Sequence, residues 1–406
     1  MYFFSSQIIN QLPRYFPSVP IIVLLIIFSA SCNQSKNVEE ENTSHANYLT
    51  KKISLALDDS TSNEFHYTQY YQEDSEEYLV TLNTLTYTVD KYSLSSGGMI
   101  KRTKVPMGGP EGVTGSVLQG LTYSSPDSIF VFVRGNINGS ICIDEDGNFV
   151  HKLSPARNKL IDHGLVNHVS TVPNPTFKSG NKLHFVRYSL GDNYNPSEFN
   201  KQFPITLEYN IETNELTYDS LNTYPDLYLD KIWPFTDTDY SRTAISDSLY
   251  LISWPLMDSL VVFDKKNQSI NHISAQSKYF KSDPQDFKIR PSEEQDNELV
   301  LSNYRYGDVH YDPYNKLIYR IALHPLKDYK NKTAWPAASE QDFSIIVMDE
   351  RFEIIHEVDF PGSQYSSFLI IPSKAGLMLF RNNIYDETVS EDELVVEIFD
   401  LSKPIQ

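Results

Sequence analysis

Beyond the first fifty residues the chain is built of short apolar runs separated by turns rich in Asp, Asn and Gly. Runs of this length between turn residues predict strands rather than helices. One arrangement recurs. Its leading strand reads YLVTL at Tyr78 to Leu82, DSIFVFV at Asp127 to Val133 and NKLHFV at Asn181 to Val186. It returns as DSLYLI (Asp247 to Ile252), NKLIYRI (Asn315 to Ile321) and AGLMLF (Ala375 to Phe380). Aligned on Leu79, Ile129, Leu183, Leu249, Leu317 and Leu377, the six copies lie 50, 54, 66, 68 and 60 residues apart.

Each leading strand is followed by a second apolar run, a turn and a third, as in Leu260 to Asp264, Lys265 to Asn267 and Ile270. With a less regular strand ahead of it, each copy makes a four-stranded unit. Strands with two apolar faces need cover on both sides, and radial packing of small sheets supplies it. The expected fold is all-β: a six-bladed β-propeller of four-stranded antiparallel blades over residues 51–406. The sixth copy ends at LVVEIFDL (Leu394 to Leu401) with no room for an outermost strand, whereas Lys52 to Leu57 has no partner of its own. Pairing the two would complete the last blade and remove an exposed edge. No helix is expected to interrupt the blades.

The amino terminus has a different character. Ile21 to Ala30 reads IIVLLIIFSA, an apolar run of ten. That is half of the roughly 20 residues a membrane-crossing helix needs, but it suits the core of an export signal. Ser29, Ala30 and Ser31 then lead into Cys32, which resembles a bacterial lipobox, with Phe28 where such motifs usually carry Leu. Residues 1–31 are expected to be a lipoprotein signal peptide and Cys32 the lipidated residue. The polar stretch 32–50, with Glu39, Glu40 and Glu41, is expected to be a flexible tether.

Charge narrows the partners. Asp and Glu number 53 against 34 Lys and Arg, a formal net charge of −19, which repels a phosphate backbone and argues against nucleic acid. Two cysteines make no disulfide framework, and Cys142, within Ile141-Cys142-Ile143, is expected to be an inert core residue. No cofactor and no metal are expected. Together the lipobox, the six divergent repeats, MGGPEGVTG (Met107 to Gly115), YGDVHYDPYNKLIYRI (Tyr306 to Ile321) and GLMLFRNN (Gly376 to Asn383) resemble a Bacteroidota lipoprotein family. It is the domain-of-unknown-function family 4221, related to six-bladed propeller lipoproteins. The resemblance implies a propeller in the cell envelope, held at the outer membrane by lipid on Cys32 and either periplasmic or surface-exposed. It brings no catalytic residues with it.

Candidate chemistry is sparse. Arg134, Arg187, Arg320 and Arg381 stand at or near the ends of leading strands, with Arg187 and Arg381 at the same offset, Arg134 one position later and Arg320 one earlier. A shared anion or sugar-acid pocket would use their planar forks; pairing with acidic residues of neighbouring blades would explain them equally. His163 and His168 (DHGLVNH) and His310 fall on or near innermost strands, but their spacing matches no zinc signature. Asp144 to Asn148 reads as a hairpin turn and Met107 to Gly115 as an inter-blade connection. Two long insertions, Tyr188 to Pro204 and His324 to Asp342, carry Tyr194 and Trp335 as candidate contact residues. The sequence therefore favours a non-enzymatic binding module for a glycan, peptide or protein partner. The alternative is an envelope hydrolase or lyase acting on polysaccharide through an axial His and Arg site.

Overall fold

A computed structural model describes residues 44–115, 117–155, 168–189, 191–199, 204–280, 284–330, 332–333 and 337–404. The signal peptide, Cys32, most of the tether, His163 and Trp335 lie outside these residues.

Six antiparallel sheets form a ring, each running from an innermost to an outermost strand. Blade 1 comprises Thr68–Glu73, Glu76–Asn83, Thr88–Ser93 and Met99–Lys104, and blade 2 comprises Leu118–Ser125, Ser128–Val133, Asn136–Ile143 and Phe149–Lys152. Blade 3 has His168–Val169, Lys182–Arg187, Thr206–Asn210 and Leu216–Tyr218, with Phe177–Ser179 as an extra partner of its second strand. Blade 4 is Ser241–Ala244, Leu249–Ser253, Ser259–Asp264 and Ser269–Ser274; blade 5 is Arg305–Asp312, Leu317–Leu323, Phe343–Asp349 and Ile354–Phe360. Blade 6 takes Ile370–Ser373, Gly376–Arg381 and Glu393–Phe399 from the end of the chain and its outermost strand, Leu49–Ala56, from the beginning. These last two strands run antiparallel from Leu49 opposite Phe399 to Ala56 opposite Glu393. The ring closes as the unpartnered runs predict. Packing begins ahead of residue 51, since His45 and Tyr48 are already buried.

The core is a set of six apolar wedges, one between each pair of adjacent blades. Strand alternation builds them. In blade 2, Ile129, Val131 and Val133 pack with Val80 and Leu82 of blade 1, while Phe130 and Phe132 pack with Leu183 and Phe185 of blade 3. The closing wedge joins Leu55, Met378, Phe380 and Val396 of blade 6 to Leu79 and Tyr92 of blade 1. Full burial of each such side chain contributes about 1.5–3 kcal/mol. The repeat alignment slips in two blades. Leu79, Ile129, Leu183 and Leu377 face the preceding blade, but Leu249 and Leu317 face the following one. A one-residue offset flips a side chain to the other face of a strand, so blades 4 and 5 are displaced by one position from the apparent register.

Two helices depart from expectation, a single turn at Pro196–Phe199 inside blade 3 and a longer one outside the blades. Glu293–Ser302 forms ten residues of α-helix in the link between blades 4 and 5. Ser292 caps it, accepting from the Gln295 N–H while the Gln295 side chain accepts from the Ser292 N–H. Its first six residues are polar, so it shows no apolar stripe to read. The two turns behave as read. The Asp144 carboxylate accepts the N–H groups of Asp146 and Asn148 in a hairpin, and Met107 bridges to Val113 within the connection from blade 1 to blade 2.

Candidate functional site

The innermost strands meet around the axis through side chains that take the place of a continuous sheet. Ser170 Oγ donates to the Leu121 carbonyl at 3.1 Å. Beside it Gly120 has φ +145°, and a Cβ there would stand 2.5 Å from the Ser170 Cβ, so the close approach requires glycine. Ser241 Oγ donates to the Pro173 carbonyl at 2.7 Å and accepts the Val309 N–H at 3.0 Å. The Gln69 amide pairs with both backbone groups of Tyr123. These bonds hold the inner strands apart at fixed spacing and leave an axial cavity of about 240 Å³.

All six blades or their flanking turns contribute to its wall, through Gln69, Leu121, Val172, Thr243, His310 and Ile371 among others. Tyr67, Tyr70, Tyr311 and Tyr314 supply rings, with Tyr70 and Tyr314 meeting edge to face at 5.6 Å. Among the described residues no Asp, Glu, Lys or Arg lines it. His310 is 6% exposed and its Nε2 has no hydrogen-bond partner. Burial keeps the ring neutral, with its pKa pushed down to about 4, so it offers one donor and one acceptor. Burial likewise raises the phenols of Tyr67, Tyr70 and Tyr314, and pushes that of Tyr311 up to about 12, with help from its bond to Glu350. All four remain neutral donors. The cavity is an uncharged, aromatic, hydroxyl-bearing pocket in a strongly acidic chain.

The other candidates are dispersed. His168 occupies the innermost strand of blade 3 but stands edge-on to Phe132 and Phe185, at 5.9 and 5.1 Å. Burial pushes its pKa down to about 3, and it is not part of the cavity wall. None of the four arginines lines the cavity either. Arg134 is exposed in the turn after its strand. Arg187 stacks on the Tyr218 ring at 4.5 Å. Arg381 pairs with Asp386 at 2.7 Å and Glu397 at 3.6 Å, both in its own blade.

Arg320 is fully buried and donates to Ser253 Oγ and the carbonyls of Trp254, Met257, Asp258 and Ala275, riveting blade 5 to blade 4. Tyr194 is covered by the Arg290 guanidinium at 4.9 Å, and Arg290 also pairs with Asp192 at 2.8 Å. Cys142 is buried, and burial raises its thiol pKa. The axial tyrosines and Thr243 are the functional candidates that pattern reading passed over, because they lie on the least regular strand of each blade. Tyr311 and Tyr314, in YDPYN just after His310, were the visible signal.

The family model described as domain of unknown function (DUF4221) matches residues 46–359, most of the chain. The chain belongs to the DUF4221 family. A crystal structure of a DUF4221 member from Bacteroides vulgatus aligns with a TM-score of 0.76 at 21% identity, covering 87% of this chain and 97% of that one. That likeness establishes the propeller fold. A putative exported protein from Bacteroides fragilis aligns at TM-score 0.48 and 8% identity, covering 87% of this chain and 96% of that one. The extracellular domain of a putative hybrid two-component system from B. thetaiotaomicron aligns at 0.41 and 9%, covering 83% of this chain and 34% of that one. No curated protein matches the chain in sequence. Among the described residues, no helix is long and apolar enough to cross a membrane, and no cluster of three His, Cys, Asp or Glu could hold a metal ion.

Proposed function

We propose that this DUF4221 chain is a lipid-anchored envelope binding module whose seat is the axial cavity, and that its ligand is the end of an uncharged glycan. One observation carries the reading: a buried, neutral His310 with an unpartnered Nε2 on the wall of a charge-free pocket rich in tyrosine. An orphaned buried ring nitrogen costs about 1–3 kcal/mol until an acceptor or donor reaches it. Sugar hydroxyls can do either, while pyranose faces pack on aromatic rings. The cavity holds the space of roughly eight water molecules, which suits one terminal sugar rather than a drug-sized ligand. An acidic ligand would meet no cation there.

Titration calorimetry of the purified chain against neutral and acidic oligosaccharides tests this. Neutral glycans should bind, and His310→Phe should weaken them at least about tenfold, the cost of one lost hydrogen bond to a buried group. Binding confined to acidic glycans, or unchanged in His310→Phe, overturns the assignment. Polysaccharide turnover lost in His310→Ala with the fold intact would replace it with the enzymatic reading. The envelope assignment rests on Ile21 to Ala30 and Cys32. Metabolic labelling with a fatty acid should mark the wild type, and Cys32→Ala should lose both label and membrane fraction.

A further inference from the structure

The two ends of the axial cavity differ. Where the innermost strands begin, blade 3 closes it. His168–Val169 pair with Arg187 and Val186, and Phe177–Ser179 resume at His184, so residues 170–176 leave the strand edge. They cross the axis as a bar. Val172 packs with Leu55, Leu79 and Phe380 in the wedge between blades 6 and 1, on the far side of the ring, and its N–H donates to the His66 carbonyl at 3.4 Å. Asn174 donates to the Tyr240 carbonyl at 2.7 Å and accepts the Arg242 N–H at 2.8 Å. His66 and Tyr240 each precede an innermost strand, which sets the bar at the starting end. Ser170, Thr171, Val172 and Pro175 line the cavity from it. The long links Tyr188 to Pro204 and His324 to Asp342 leave second strands at that same end, so Tyr194 stands beyond the bar.

The opposite end is the mouth. There the first and second strands of each blade turn into one another. Pro313 and Tyr314, in the turn of blade 5, line the cavity and are exposed, Tyr314 by 42%. Tyr314 stands edge-on to Tyr70, whose hydroxyl accepts the Lys374 N–H from the turn of blade 6. Glu77 lies beside both rings. Burial is the main cause that raises the phenols of Tyr70 and Tyr314, and the Glu77 carboxylate adds to it in each. The mouth therefore offers an exposed ring face and a carboxylate, an acceptor for paired hydroxyls. An acidic sugar would meet Glu77 as a like charge.

We propose that the axial site is entered from this hairpin face, and that Tyr314, Tyr70 and Glu77 form a second subsite there for the penultimate sugar of a neutral glycan. The subsite rests on the glycan reading of the cavity; the direction of entry rests on the bar and the turns alone.

Two measurements on the purified chain test it. In calorimetry with neutral gluco-, manno- and galacto-oligosaccharides of one to four sugars, two-sugar chains should bind at least about fivefold more tightly than single sugars, the worth of one hydrogen bond or stacked face. Tyr314→Ala, at an exposed turn position, should bring that ratio close to one, whereas His310→Phe should weaken both lengths and keep it. In a Cys32→Ser background, with Cys142 buried, a bulky maleimide should label Thr243→Cys on the cavity wall several-fold faster once Tyr314→Ala widens the mouth, and no faster with Tyr194→Ala. Equal affinity for one and two sugars, or a ratio kept in Tyr314→Ala, overturns the subsite. Labelling indifferent to Tyr314→Ala, or quickened by Tyr194→Ala, overturns the direction of entry. If no neutral saccharide binds, the glycan reading falls and the subsite with it, and the labelling still decides the entry.

Discussion

Arg320→Met is the sharpest test of how the blades are joined. The guanidinium spends its donors on one hydroxyl and four carbonyls of blade 4 and its following turn, and it covers the Tyr306 ring at 3.6 Å. The carbonyls of Trp254 and Asp258 also accept the backbone N–H groups of Met257 and Ala275. Those of Met257 and Ala275 rest on the arginine. Two carbonyls stranded in the interior cost about 1–3 kcal/mol each. Loss of the cation over Tyr306 adds about 1 kcal/mol, and relief from burying a charge offsets part of the total. The expected net loss is about 3–5 kcal/mol, measured as the shift of the urea midpoint multiplied by an unchanged slope. Hydrogen exchange should quicken at Trp254 to Asp258 before it changes in blades 1 and 2. A loss below about 1 kcal/mol would refute the reasoning, because a riveting arginine cannot be that cheap to remove.

Other outcomes follow from the same contacts. The unfolded imidazole of His168 takes up a proton near pH 6.5, which the native ring refuses until about pH 3; its contribution is therefore intact above about pH 6.5 and lost as pH falls. Between about pH 7.5 and about pH 5.5, His168→Phe should lose about 1.4 kcal/mol less than the wild type in urea unfolding, and equal losses would contradict a buried neutral ring. Leu55→Ala, in the fully buried position of the closing strand, should cost about 2–5 kcal/mol, whereas Lys51→Ala, exposed near the strand's start, should cost little. Gly120→Ala places a Cβ against Ser170 at positive φ and should destabilise by well over 1 kcal/mol, measured by thermal melting.

The blades were legible and, His310 apart, the site was not, for one physical reason. Second and third strands are sandwiched between neighbours, so Ile129 to Val133 or Ile345 to Met348 read as unbroken apolar runs. Inner strands face a polar axis and bond through side chains, so TQYYQE at Thr68–Glu73 and SRTA at Ser241–Ala244 show no such run. The cavity is made from those strands. The arginine pattern carried its own warning. Offsets differing by one residue cannot share a strand face, and Arg320 lies on the side of Ile318 and Ala322, wedged into blade 4. The helix Glu293–Ser302 was hidden because its first six residues are polar, the buried Asp296 among them, and only its cap, Ser292 with Gln295, marks it.

The strand that completes blade 6 is also the first strand after the amino-terminal segment. Tension arriving from that side enters at Leu49 and is shared along the pairs with Glu393–Phe399, so they resist together as a shear joint. The latch is thus the load-carrying member. A pull strong enough to free it would strip one blade to three strands and bare the wedge beneath Leu55, turning mechanical detachment into loss of the circle itself.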